Sequence, residues 1–164
     1  MSQRTRLFAA SIVITGSLLG AIPASAGTTS YPATQCVNYG STDTKDSWLR
    51  YFGDSTATTF GPDVTVACPA IQQGGNATAT VTGRKYYSTD TVSCKFVVHD
   101  AANGNTHSTA TINVSAIGPF TLDLTAGVPW PYSYSGGVKV IVCKIPKAPF
   151  DNSAELYSYT VTES

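Results

Sequence analysis

His99 and His107 flank the segment Asp100-Ala101-Ala102-Asn103-Gly104-Asn105, and with Asp100 they are the side chains best suited to acid–base or metal chemistry. Imidazole titrates near neutrality and ligates metals, so two rings and a carboxylate converging on a concave pocket would suit a small hydrolase. The Asn-Gly chemistry between them supports another reading: a hairpin loop joining two strands, with the imidazoles facing each other or water. That second reading is preferred. A Ser-His-Asp triad has serines to draw on, but no G-x-S-x-G elbow accompanies them. Glu155 and Asp151 lie close in sequence, yet an acid–base pair also needs a cleft, and both they and Glu163 read as surface charge. H-E-x-x-H is absent, and Gln73-Gly74-Gly75-Asn76 reads as a turn with no helix after it to cradle a phosphate.

A different kind of chemistry is written into residues 128–137. There Trp130, Tyr132 and Tyr134 stand among prolines, glycines and serines, a composition that presents flat apolar rings with polar tips to a sugar or a protein partner. These three are the candidate binding residues. Trp48, Tyr51, Phe52, Tyr86 and Tyr87 either extend such a surface or pack as core plugs.

The compartment follows from the start of the chain. Arg4 and Arg6 precede an apolar run over 7–22 that is broken by Ser11, Thr15, Gly16, Ser17 and Gly20, and Pro23 then leads into Ala24-Ser25-Ala26. This is the pattern of a secretory signal cleaved after Ala26, with a retained anchor as the alternative. The run is short for a bilayer span of roughly 20 residues, so no stable membrane span is expected after cleavage. A single domain over 27–164 and a secreted or periplasmic location are the expectations. The first cysteine, Cys36, stands well past the cut, which argues against a lipoprotein.

Cys36, Cys68, Cys94 and Cys143 all lie in the exported part, where thiols oxidise, so they read as disulfides. Four cysteines allow three pairings, which sequence leaves open. Cys36 with Cys68 and Cys94 with Cys143 is preferred, because the latter two sit in strong strand patterns and the former two near the edges of weaker ones. Each bridge is worth about 4 kcal/mol on the chain-entropy model. No C-x-x-C spacing supports zinc, and no metal or other cofactor is expected. Loss of Arg4 and Arg6 with the leader leaves a slightly acidic chain with scattered lysines. Nucleic acid is therefore not an expected partner, since nothing forms a basic stripe. Asn76-Ala77-Thr78 and Asn113-Val114-Ser115 match the glycosylation acceptor, a short pattern with many chance occurrences.

The elements that position these residues read as strands. In 91–99, Val92, Cys94, Phe96 and Val98 alternate with Ser93, Lys95, Val97 and His99, the period-two signature of a half-buried strand. Residues 120–125 alternate likewise, and so do 157–162, where Tyr157, Tyr159 and Val161 share a face. The run 138–145 is apolar on both faces and suggests a central strand, with Lys139 and Lys144 reaching out at its ends. Weaker strand patterns occupy 48–52, 56–60, 64–68, 78–82 and 109–114. Gly53-Asp54, Gly61-Pro62, Asn103-Gly104, Gly118-Pro119 and Gly136-Gly137 punctuate them. The resulting expectation is all-β: a disulfide-stabilised antiparallel β-sandwich of immunoglobulin-like or jelly-roll-like form, with a closed barrel as runner-up.

Tyr31-Pro32 ahead of Cys36, Cys68-Pro69 after a Val-rich strand, Cys94 in mid-strand, Cys143-Lys144-Ile145-Pro146 and the closing 158–163 form one further pattern. It resembles a loose group of small exported four-cysteine β proteins of bacteria. The resemblance spans most of 27–164, implies export and a β fold, and carries no catalytic residue. The functional expectation is a non-enzymatic secreted β-sandwich contacting a glycan or protein at or outside the cell surface. The alternative is a small secreted hydrolase using the His99, Asp100 and His107 region.

Overall fold

The computed structural model describes residues 27–39, 49–53, 55–58, 63–70, 77–87, 91–99, 104–125, 138–146 and 154–163. Of the strands that alternate best in sequence, 91–99 and 157–162 fall inside the two sheets and 120–125 forms an edge. Sheet I has the order β10 (Gly118–Asp123), β6 (Ala77–Lys85), β12 (Ala154–Glu163), β4 (Ser55–Thr58), β3 (Leu49–Phe52), and β1 (Gly27–Pro32) also pairs with β12. Sheet II has the order β2 (Val37–Asn38), β5 (Val64–Ala70), β11 (Val138–Ile145), β7 (Val92–His99), β8 (Thr106–Ser108), and β9 (Ile112–Val114) also pairs with β7. Every pairing among them is antiparallel. The result is a sandwich of two sheets, as expected, and a short 3-10 turn at Ala33–Gln35 precedes β2.

Burial follows the pleat. In β7, Val92, Cys94, Phe96 and Val98 are buried, while Ser93, Lys95 and Val97 are half-buried and His99 is exposed. In β11, Lys139, Ile141, Cys143 and Ile145 face inward, with Val138 and Lys144 exposed and Val140 and Val142 half-buried on the other face. From sheet I, Ala77, Ala79, Val81, Leu156, Tyr159 and Val161 complete the core. Each large apolar side chain buried there contributes about 1.5–3 kcal/mol relative to exposure, which is why two one-sided sheets close on each other.

The disulfides are Cys36–Cys68 and Cys94–Cys143, the preferred pairing. Cys94 and Cys143 are register partners on β7 and β11. Cys36 precedes Val37, which pairs with Ala67 next to Cys68. Both bridges therefore join adjacent strands of sheet II on its inner face, and all four cysteines are buried.

Three local expectations are corrected. Lys139 does not reach out: it points into the core, 1% exposed, and its Nζ donates to Glu163 Oε1 at 2.7 Å. Glu163 is accordingly a buried inter-sheet partner instead of surface charge, because β12 runs to the end of sheet I with Glu163 on its inner face. Tyr157 does not share a face with Tyr159: the register shifts between Leu156 and Ser158, so Tyr157 is the extra residue of a bulge and is exposed. Gly83 sits opposite Leu156 beside that irregularity, and a Cβ there would meet the Glu155 carbonyl and the Phe120 ring. Only glycine permits that close approach.

A second inter-sheet link is made by Tyr159, whose hydroxyl donates to the Pro69 carbonyl at 2.6 Å and whose ring stacks on Tyr31 with centroids 5.0 Å apart. Burial, then the neighbouring Tyr31, pushes the Tyr159 phenol from 10.0 up to about 12. At one end of the core the buried Lys85 donates to the Ser115 carbonyl at 2.5 Å.

Two stability predictions follow from these links. Glu163→Ala leaves the Lys139 ammonium buried beside no Glu163 carboxylate and should cost about 3 kcal/mol in denaturant unfolding of the oxidised protein, whereas the double change Lys139→Met with Glu163→Leu should recover most of it. Equal losses in the single and double variants would contradict the pairing. For Tyr159, the folded state holds the neutral phenol, so its contribution is complete below pH 10 and is lost as pH rises through about 12. Tyr159→Phe should lose about 1 kcal/mol at neutral pH and show a shallower alkaline decline than the parent; superimposable declines across that window would refute the assignment.

Candidate functional site

The outer faces of the two sheets have different chemistry. On sheet I, β6 presents Thr78, Thr80 and Thr82, β12 presents Ser158, Thr160 and Thr162, and β1 presents Thr28 and Ser30. Their register brings these hydroxyls into rows across the strands. Thr28 bonds Thr162 at 2.9 Å, Ser30 bonds Thr160 at 2.8 Å, and Thr82 bonds Ser158 at 2.8 Å. At one end of that face Tyr86 donates to Glu155 Oε2 at 2.8 Å under the Arg84 guanidinium, and burial with the Glu155 contact drives the Tyr86 phenol well above its ordinary range. The groups of this face largely satisfy one another.

Sheet II carries a concavity of about 540 Å³ on its outer face. Its floor combines Val97 from β7 with Val142 from β11, and Lys95 lies directly across from Val142 in register. Thr65, Ser93, Thr106 and Thr111 line it with hydroxyls. Tyr39 stands at the β2 edge, 57% exposed, its backbone N–H held by the Thr65 carbonyl at 2.8 Å. Lys144 lies on the same rung as Thr65 and Ser93 and pairs with Asp63 at 2.6 Å. Thr65, Ser93 and Thr111 make no side-chain hydrogen bond among the described residues. A concave patch of this volume, with an aromatic wall, a valine floor and hydroxyls pointing into it, has the make-up of a small-molecule or oligomer cleft.

The sequence-derived candidates fare differently. Trp130, Tyr132 and Tyr134 lie outside the described residues, as does Asp100. His99 and His107 are described, on the β7–β8 hairpin read from the Asn-Gly turn, with Gly104 at φ +73°. His99 pairs with Thr106 and Val98 with His107, so the two imidazoles occupy alternate register positions and project from opposite faces of the sheet. His99 Nδ1 contacts Thr106 Oγ1 at 2.8 Å. The hydrolytic constellation is therefore not assembled between these two rings. Among the described residues no three His, Cys, Asp or Glu side chains converge as metal ligands, and no helix is long and apolar enough to cross a membrane. Glu155 is engaged with Tyr86, and its partner in the carboxylate-pair reading, Asp151, lies outside the described residues.

Tyr39, Thr65, Lys95, Val142 and Lys144 were not singled out as site residues from sequence. Their signal was present in weak form: β11 is apolar on its outward as well as its inward face, and an outward apolar stripe flanked by Ser93 and Lys95 marks a face with something to cover.

No protein-family model matches the chain, and no curated protein matches it. Solved structures do. The xylan-binding module CBM15 superimposes with a TM-score of 0.53 at 10% identity, covering 85% of this chain and 98% of that one. A mutant of the family 29 carbohydrate-binding module CBM29-2 gives 0.45 at 16% identity, covering 84% and 85%. The module TmCBM61 in complex with β-1,4-galactotriose gives 0.43 at 9% identity, covering 84% and 88%. The likeness to the xylan-binding module is one of fold, a β-sandwich.

Proposed function

We propose that this chain is an exported, non-enzymatic β-sandwich that binds a glycan chain in the groove on the outer face of sheet II, as one of the small exported four-cysteine proteins it resembles. The observation that carries the reading is the groove itself: Tyr39 supplies a ring face for a sugar's C–H surface, the valines an apolar floor, and Thr65, Ser93 and Thr111 hydroxyls that bond no side chain among the described residues. Sugars offer both kinds of surface at once. The two disulfides accord with an oxidising compartment, and the likeness in fold to a module that binds xylan agrees with a polysaccharide as partner. Trp130, Tyr132 and Tyr134 enter the proposal as further contact residues, on the segment that precedes β11 in the chain.

The test is a polysaccharide and glycan-array screen of the oxidised protein beside two variants. Tyr39→Ala, at an exposed position, should weaken the best ligand roughly tenfold while leaving the melting temperature unchanged, the size expected for an aromatic anchor. Trp130→Ala reports separately on the segment before β11. Absence of any glycan ligand, or a Tyr39→Ala protein that binds as the parent does, would remove the groove from the reading.

A further inference from the structure

We infer that the sugar taken by this groove is an acidic one, with its carboxylate or sulfate seated on the Lys95 ammonium; the inference rests on the glycan reading above and narrows its ligand class. Among the described residues the charged side chains lining the groove are two cations, Lys95 and Lys144, with no Asp or Glu beside them in the lining. Lys144 is already neutralised by Asp63 at 2.6 Å. Lys95 has no acidic partner among the described residues. Its neighbours are Val142 across the rung and Ser93 and Val97 along β7.

Lys95 is half-buried with valines as register and strand neighbours in a concave patch, where an anion is attracted more strongly than by a lysine on a flat open surface. The chain as a whole does not explain the sign, since basic and acidic side chains balance at ten each. Lys95 is thus a cation facing the concavity without an acidic partner among the described residues, in a chain with no overall excess of positive charge. Hydroxyls of Ser93 and Thr111 flank the cation and are placed to orient the neutral part of the same sugar. An uncharged glycan would leave Lys95 without an acidic partner among the described residues. A uronate carboxylate or a sulfate ester completes it.

Matched ligands isolate the charge. Polygalacturonate against its fully methyl-esterified form, and dextran sulfate against dextran, differ within each pair only in the anionic group, and the two pairs distinguish carboxylate from sulfate. Binding is read by affinity electrophoresis and calorimetry of the oxidised full chain at low and moderate salt. In at least one pair the acidic member should bind roughly tenfold tighter than its neutral partner, with the advantage shrinking as salt rises. Lys95→Gln should abolish the advantage, Lys95→Arg should keep most of it, and both should melt as the parent does. Equal affinity for acidic and neutral members would overturn the acidic-sugar inference while leaving the glycan reading standing. So would an acidic preference that survives Lys95→Gln. Binding of no polysaccharide, in these pairs or in the array screen, would overturn both.

Discussion

Register in sheet II is the constraint on which the rest depends. Side chains along a strand alternate faces with a period of two, so a slip of one residue between β7 and β11 would carry Lys95 and Val97 into the core and bring Cys94 and Phe96 out to water. The Cys94–Cys143 bond joins the two strands at one rung, and Cys36–Cys68 holds β2 to β5 in the same way. Oxidation thus does more than restrict the unfolded chain. By pinning adjacent strands it decides which side chains line the outer concavity and which fill the sandwich.

Once register is set, the two outer faces diverge because of what their hydroxyls can reach. On sheet I, Thr and Ser stand opposite Thr and Ser, close enough to bond across the strands. On sheet II, Lys144 stands between Thr65 and Ser93 on their rung and keeps the two hydroxyls from being direct neighbours, and Val142 stands opposite Lys95. The same composition, rich in Thr and Ser, therefore makes a self-satisfied face in one sheet and a receptive one in the other.

The interior carries charge as well as apolar surface. Lys139 and Glu163 tie β11 to β12 across the sandwich, and the Tyr159 hydroxyl ties β12 to β5. Polar links of this kind add little net stability beyond hydrophobic packing, since the cost of desolvation offsets much of their attraction. They are directional, however, and packing of alanines and valines is not. Two such links constrain how the sheets lie over each other, which keeps the concavity on sheet II and the bulge at Tyr157 on sheet I in fixed relation.

How much was legible beforehand differs by element. The clean alternation of 91–99 and the two-faced apolar run of 138–145 led correctly to β7 and β11, because each is encoded in a few adjacent residues; the strand expected over 109–114 to pair with β7 is instead two short ones, β8 at Thr106–Ser108 and β9 at Ile112–Val114. β1, β2 and β8 went unread, since a threonine-rich edge and strands of two or three residues have no periodic apolar signal. Lys139 was misread for a related reason: an inward lysine is acceptable only if a carboxylate meets it, and Glu163 arrives from another sheet 24 residues away. Tyr157 was misread because a bulge breaks the very period being counted.

The amino-acid sequence alone determined an all-β chain with its cysteines bonded and the positions of its strongest strands, since hydrophobic period, turn residues and cysteine placement act over short stretches of chain. Only the tertiary structure decided that Tyr39, Thr65, Lys95, Val142 and Lys144 share one concavity and that His99 and His107 part company. Those outcomes depend on which strands become neighbours and in what register, and that is settled by the joint packing of two sheets, not by any local run of residues.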